Sequence, residues 1–174
     1  LHVRSRRQRQ MCIRDRFKVY HPLAFYAAYF SIRAKAFDLR IMTGDLKTQL
    51  TEFNRIKALD RAASPKDKDL MSALEVSMEM YQRGYRFINV DIQHSEARRF
   101  SIKDGALLPP FLAIDSLGET VADAIVEERN ERPFTSLKDL QRRCKVSNTI
   151  IDLMKDLKCC GELPEDEQMS LFGA

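Results

Sequence analysis

A turn made by Ile114, Asp115, Ser116, Leu117 and Gly118 constrains this chain most, because it feeds directly into an amphipathic helix. Gly118 can take the positive φ that such a turn needs. Between Glu119 and Arg129, the residues Val121, Ala122, Ile125 and Val126 recur at helical spacing and give one apolar face. The first backbone N–H groups of a helix have no intrahelical partner and its end carries partial positive charge, so it can hold an anion. A turn of small residues lets a phosphate come close to that backbone. The same residues also fit an ordinary loop–helix junction in an α-helical core, and the rest of the chain has to decide.

The stretch resembles the helix-hairpin-helix family, whose hairpin runs apolar-x-Gly-apolar-Gly and whose second helix has Ala and Ile at fixed offsets. Ile114, Leu117, Gly118, Ala122 and Ile125 match that pattern, and Ser116 stands where the family usually has its first glycine. The resemblance implies a grip on the DNA backbone that reads no bases. It makes Ser116, Leu117, Gly118, Glu119 and Thr120 the candidate contacts.

The net charge of +4 is no argument for nucleic acid. Residues 1–16 hold six arginines and one aspartate, which leaves 23 basic and 24 acidic side chains over the other 158 residues. Those first sixteen residues show no helical or strand periodicity, begin with Leu1, and include a string from Met11 to Arg16 that looks like translated sequencing-adaptor read-through. They are expected to be a non-native or disordered basic segment and are set aside from the fold. The chain is then expected to start inside a longer gene.

No apolar run approaches the roughly 20 residues of a membrane span, and no signal-peptide core is present. Cys12, Cys144, Cys159 and Cys160 form no C-x-x-C, and His2, His21 and His94 are scattered, so zinc-site spacing is absent. The adjacent Cys159 and Cys160 suggest reduced thiols in a cytoplasm.

Taken in order, Pro22 suits the first position of a helix that is apolar almost all round from Leu23 to Phe30, is expected to be buried, and runs to about Phe37. A second helix over residues 45–62 places Leu46, Leu50, Phe53 and Leu59 on one stripe. Ser64, Pro65 and Asp67 make a capping box that opens a third helix with Leu70, Leu74, Met78 and Tyr81, closed by Gly84. Composition then turns β-prone at residues 85–92 and 99–102, and Asp104 with Gly105 makes a turn into Ala106, Leu107 and Leu108, ended by Pro109 and Pro110.

Beyond the hairpin helix, Pro133 is a breaker, and Ser136 with Asp139 reads as another capping box for a helix bearing Leu137 and Leu140. Lys138, Arg142, Arg143 and Lys145 line its polar side. Such a cluster fits either a solvated face or a phosphate-facing surface; its place just after the hairpin favours phosphate. Ser147 caps a last helix with Ile150, Ile151, Met154 and Leu157, stopped near Gly161. Two helical pairs in a row suggest a tandem hairpin whose second copy is degenerate.

The tail, residues 162–174, is acidic at first and expected to be extended and flexible. It ends on Gln168, Met169, Ser170, Leu171 and Phe172. Leu171 and Phe172 fit a docking peptide that fills a partner's pocket, or they fold back on the last helix.

Together, the residues from Tyr20 to Phe30, from Leu107 to Phe111, from Ile114 to Gly118, Phe134 with Ser136, Asp139 and Leu140, and the peptide from Gln168 to Phe172 resemble the C-terminal part of PolC-type DNA polymerase III alpha subunits, the C-family bacterial replicative polymerases. The resemblance covers residues 17–174. It implies a mainly α fold with a small β-element: the helical end of a fingers region (17–84), the β-element (85–112), a tandem helix-hairpin-helix domain that binds duplex DNA (113–161), and a tail whose residues 168–172 bind the β sliding clamp. Met169 replaces the commoner Leu there, a mild change. The implied partners are template–primer duplex, the clamp and the remaining polymerase domains, with no membrane.

A whole polymerase of this kind is a DNA-directed nucleotidyltransferase that uses Mg2+ held by palm carboxylates. Those carboxylates lie upstream in the family; Asp38, Asp45, Asp60 and Asp91 form no recognisable metal pair. The chain alone is therefore expected to be inactive, with no catalytic residue, metal ligand or cofactor of its own. Two other readings remain: a stand-alone helix-hairpin-helix DNA-binding or repair module tethered to the clamp, and a helical scaffold that binds only protein.

Overall fold

The computed structural model describes residue 13 and residues 15–166; most of the basic segment and the peptide from Gln168 to Phe172 lie outside the described residues. Residues 15–20, which straddle the end of the segment set aside above, are helical. They bend at His21 into α1 (Pro22–Ile32), which has Pro22 in its first turn as expected. A 3-10 turn (Ala34–Ala36), α2 (Leu39–Met42), α3 (Leu46–Leu59), a 3-10 turn (Asp60–Ala62) and α4 (Pro65–Gln82) complete the first helical part.

The ends of these helices follow local chemistry. Asp38 and Asp45 accept hydrogen bonds from the N–H groups of Ile41 and Thr48, which α2 and α3 would otherwise leave unpaired. Ser64 and Asp67 close a reciprocal capping box at the start of α4. At its far end Gly84, with φ 83°, lets Tyr85 N–H reach the Met80 carbonyl and Gly84 N–H reach that of Tyr81. That is a Schellman closure.

Three expectations for this part need correction. The first helix stops at Ile32 and reaches Phe37 only through a 3-10 turn, and only Tyr26 and Phe30 in it are buried. The expected stripe of α3 is not its inward face: Leu46, Leu50 and Leu59 stand 38%, 48% and 37% exposed, while Gln49 and Ile56 are buried. A buried amide is tolerated because its hydrogen bonds are met. Gln49 donates to the Met42 carbonyl at 3.1 Å and accepts from the Ser77 hydroxyl at 2.6 Å. In α4 the buried apolar residues are Leu70, Ala73, Leu74 and Met80, with Met78 and Tyr81 only half-buried.

The β-element is smaller than its composition suggests. β1 (Ser101–Lys103) and β2 (Ala106–Leu108) pair antiparallel through Asp104 and Gly105, both at positive φ (51° and 74°) as a type I′ hairpin requires. The β-prone residues 85–92 contribute one parallel bridge, Phe87 to Leu107, and then turn away. Asn89 explains the departure, since its side chain bonds the Val90 N–H and the Leu157 carbonyl. Phe30 and Phe37 from the helices meet Phe87 and Phe100 from this region, with every pair of ring centroids 4.9–6.1 Å apart. This aromatic cluster joins the helical part to the β-element.

A 3-10 turn (Phe111–Ala113) then leads to α5 (Glu119–Glu131), α6 (Leu137–Cys144) and α7 (Asn148–Asp156). Arg129 anchors α5 by donating to the carbonyls of Ile92 and Ser95 at 3.0 and 2.8 Å. The last helix ends earlier than expected. Lys158, at φ 55°, closes it, with Cys159 N–H bonded to the Met154 carbonyl. Gly161 merely continues the turn.

The described part of the tail is not free. Leu137 and Lys138 N–H groups donate to the carbonyls of Pro164 and Glu165 at 2.9 and 3.3 Å, and Leu163 packs on the core. An acidic composition predicts an extended chain; it does not reveal that the open N-terminus of α6 supplies donors for it.

Candidate nucleic-acid interface

Two hairpins repeat one backbone conformation. In the first, Ser116 has φ 63°, Leu117 is 4% exposed, and Gly118 caps α5 with φ −73° and ψ 154°. In the second, Lys145 has φ 53°, Val146 is 3% exposed, and Ser147 caps α7 with φ −71° and ψ 155°. Each hairpin thus runs left-handed residue, buried apolar residue, N-cap. The buried Leu117 and Val146 pin the turn to the core, and the helix N-terminus faces outward behind it. This corrects the role given to Gly118: its φ is ordinary, and the left-handed position is Ser116.

The two pairs differ in their leading element. A full helix, α6, precedes the second hairpin, whereas only the 3-10 turn Phe111–Ala113 precedes the first. Their electrostatics differ too. Glu119 begins α5 and takes Lys35 at 2.8 Å and Arg98 at 2.9 Å, while Asp123 also binds Arg98. Hydrogen bonding and charge from Lys35, then the charge of Arg98, hold the Glu119 carboxyl below its usual range. Thr120 is exposed beside it. The first turn of α7 holds no acidic residue, and Ser147 Oγ accepts from Ile150 N–H.

The basic cluster separates into distinct roles. Arg143 is held inward, its side chain only 12% exposed. Its Nε donates to Glu128 at 2.8 Å, its other nitrogens donate to the carbonyls of Arg132 and Glu128, and its plane lies 4.8 Å over the Phe134 ring. Asp139 is fully buried and gathers Arg142 at 3.0 Å with Arg132 and Arg143 at 3.4 Å. Burial pushes its carboxyl up, but the hydrogen bonds from Arg142, the Thr135 N–H and Arg143 prevail and hold it below the usual carboxylate range. The expected capping box is half formed: Ser136 accepts from Asp139 N–H, while the Asp139 carboxylate reaches Thr135 N–H.

Of the named cations, Lys145 is exposed and has no ion pair among the described residues. Arg142 is 70% exposed and tied to Asp139 on one edge. Lys138 is 70% exposed and paired with Asp166.

A cleft of about 520 Å³ adjoins the first hairpin and was not foreseen. Asp115, Ser116 and Leu117 line one side; Lys35, Arg40 and Lys66 come from the helical part. No local pattern could have linked these cations to the hairpin, because they lie some 50–80 positions earlier.

Among the described residues no group of three or more His, Cys, Asp or Glu is placed to hold a metal ion. Asp38 and Asp45 are engaged as helix caps, and Asp91 accepts from Gln93 N–H and from Lys103 while bonding His94. No helix among the described residues is long and apolar enough to cross a membrane.

Comparison with known proteins agrees with this geometry. The helix-hairpin-helix motif family matches residues 84–168, which takes in the β-element as well as both hairpins. DNA polymerase III PolC-type of Caldanaerobacter subterraneus subsp. tengcongensis is 43% identical over 156 residues, covering 90% of this chain and 11% of that protein. DNA polymerase III PolC-type of Streptococcus pyogenes is 43% identical over 159 residues, with the same coverage. The chain therefore spans about one-ninth of the length of the curated relatives it matches.

Proposed function

We propose that this chain, which is 43% identical over nine-tenths of its length to a PolC-type DNA polymerase III and matches the helix-hairpin-helix motif family at residues 84–168, is the duplex-gripping part of a replicative DNA polymerase of the cytoplasm. One observation carries the reading most directly: the same left-handed residue, buried apolar residue and N-cap occur twice, at residues 116–118 and 145–147. Such a turn presents helix N–H groups to a phosphate from two sites, and two sites on one fold hold a duplex better than one.

Lys145, Arg142 and Lys138 supply the surrounding charge, while Arg143 and Asp139 hold α5 and α6 in register beneath it. The contacts are to phosphate and independent of base sequence. The peptide from Gln168 to Phe172 tethers the enzyme to the β sliding clamp. Tethering makes rebinding intramolecular, at roughly millimolar effective concentration. Nucleotidyl transfer belongs to carboxylates outside this chain, which does not polymerise alone.

Titration of a labelled primer–template duplex with the full chain, read by anisotropy over a range of salt, tests the grip. We expect sequence-independent binding with a log–log salt slope of about −2 to −4, for roughly two to four phosphates neutralised. Absence of binding at low salt would sink the reading. Loss of clamp binding in Leu171→Ala/Phe172→Ala tests the tether separately.

A further inference from the structure

The described tail ends beside Lys138, at the N-terminal end of α6 and one helix length from the Lys145 hairpin. Glu165 binds Lys155 at 2.6 Å, and Asp166 binds Lys138. Between these pairs the Pro164 and Glu165 carbonyls take the N–H groups of Leu137 and Lys138, the first of α6. Asp166 also lines an open hollow with Lys138, Gln141 and Arg142. A short segment of the tail thus lies across a helix N-terminus, its carbonyl oxygens on backbone N–H groups and its two negative charges on two lysines. A phosphate strand offers the same chemistry: oxygens for N–H donors, and anions at regular intervals for lysines.

We propose that residues 163–166 are an internal substitute for a nucleic-acid strand, and that DNA must displace them to reach Lys138, Lys155 and the N-terminus of α6. The inference rests on the duplex-gripping reading and adds to it a self-masked surface. Lys155, on α7, joins the interface beside the cations of α6. The four carboxylate–lysine partners are all well exposed, from 38% to 77%. Each pair is therefore weak and readily exchanged, as a displaceable cover must be.

The full chain carrying Glu165→Gln/Asp166→Asn is compared with one carrying Glu75→Gln/Glu127→Gln. The control removes the same charge at exposed residues that have no ion pair among the described ones. If the tail masks the surface, the first variant binds duplex about 3- to 30-fold more tightly than the control, as freeing two exposed pairs allows. In addition, the yield of a carbodiimide cross-link between Lys155 and Glu165 in the unmodified chain falls when duplex is saturating. Equal affinities of the two variants, or a cross-link yield that duplex leaves unchanged, overturns the masking while leaving the grip intact. Failure of every variant to bind duplex at low salt overturns both.

Discussion

Ser116 and Lys145 share one left-handed conformation, φ 63° and 53°, each two residues before a helix N-cap and one before a buried apolar side chain. Neither is glycine, so each stores backbone strain of about 1 kcal/mol. Replacing Ser116 by Gly is expected to leave stability unchanged or raise it by up to ~1 kcal/mol, as relief of strain offsets the greater freedom of the unfolded chain. Ser116→Val, β-branched at positive φ, is expected to cost about 1–3 kcal/mol. Urea unfolding of the two variants checks the pair. Equal midpoints would mean the turn does not hold this conformation.

Arg143 should behave as a structural residue. Lysine at this position keeps the charge but loses the fork to Glu128, the bond to the Arg132 carbonyl and the contact with the Phe134 ring. We expect Arg143→Lys to destabilise by about 1–3 kcal/mol. Its duplex affinity, measured where the variant remains folded, should change less than twofold. A large affinity loss with an unchanged melting temperature would instead put Arg143 on DNA.

Asp139 makes stability depend on pH. Its folded pKa lies below the usual value of about 3.9. The stabilisation is therefore present above about pH 4 and is lost as pH falls through the folded value. Asp139→Asn is expected to lose about 1–3 kcal/mol at neutral pH, because the buried oxygen no longer carries charge for Arg142, Arg132 and Arg143. Below pH 4 its melting temperature should fall less steeply than that of the parent chain. Parallel melting curves from pH 7 to 2 would dismiss the linkage.

What the sequence disclosed were features that one turn of chain decides by itself. Pro22, the box of Ser64 and Asp67, the caps Ser136 and Ser147, and the Asp104–Gly105 turn each act on backbone groups within four residues, and each stands where expected. What stayed hidden depends on distant partners. Gln49 is buried because Ser77, 28 positions away, donates its hydroxyl to it. Arg143 turns inward because Glu128 waits on another helix. Residues 163–166 dock because α6 has unpaired donors. The exchange of roles between Gly118 and Ser116 is subtler: a glycine marks permission for positive φ, not its presence.

The buried thiols should be silent. Burial pushes Cys144 up to about 11 and Cys159 up to about 12, and raises Cys160 as well. The reactive thiolate is therefore scarce at neutral pH. Alkylation at pH 8 is expected to leave Cys144, Cys159 and Cys160 unmodified in the native chain and to label all three in denaturant. Rapid native labelling of Cys159 would show that the Asn89–Leu157 region opens readily.

Lys145 separates stability from binding within one side chain. Its left-handed backbone is the site of a helix C-cap, where glycine is favoured. Its ammonium is exposed with no ion pair among the described residues, so nothing in the fold is lost with it. Lys145→Gly is therefore expected to raise stability by about 0.5–1 kcal/mol. The same change removes a cation from the second hairpin, so duplex affinity should fall and the log–log salt slope should become shallower by about one. A purely structural lysine would move only the unfolding midpoint. A phosphate contact moves the two measurements in opposite directions, an outcome that general destabilisation cannot produce.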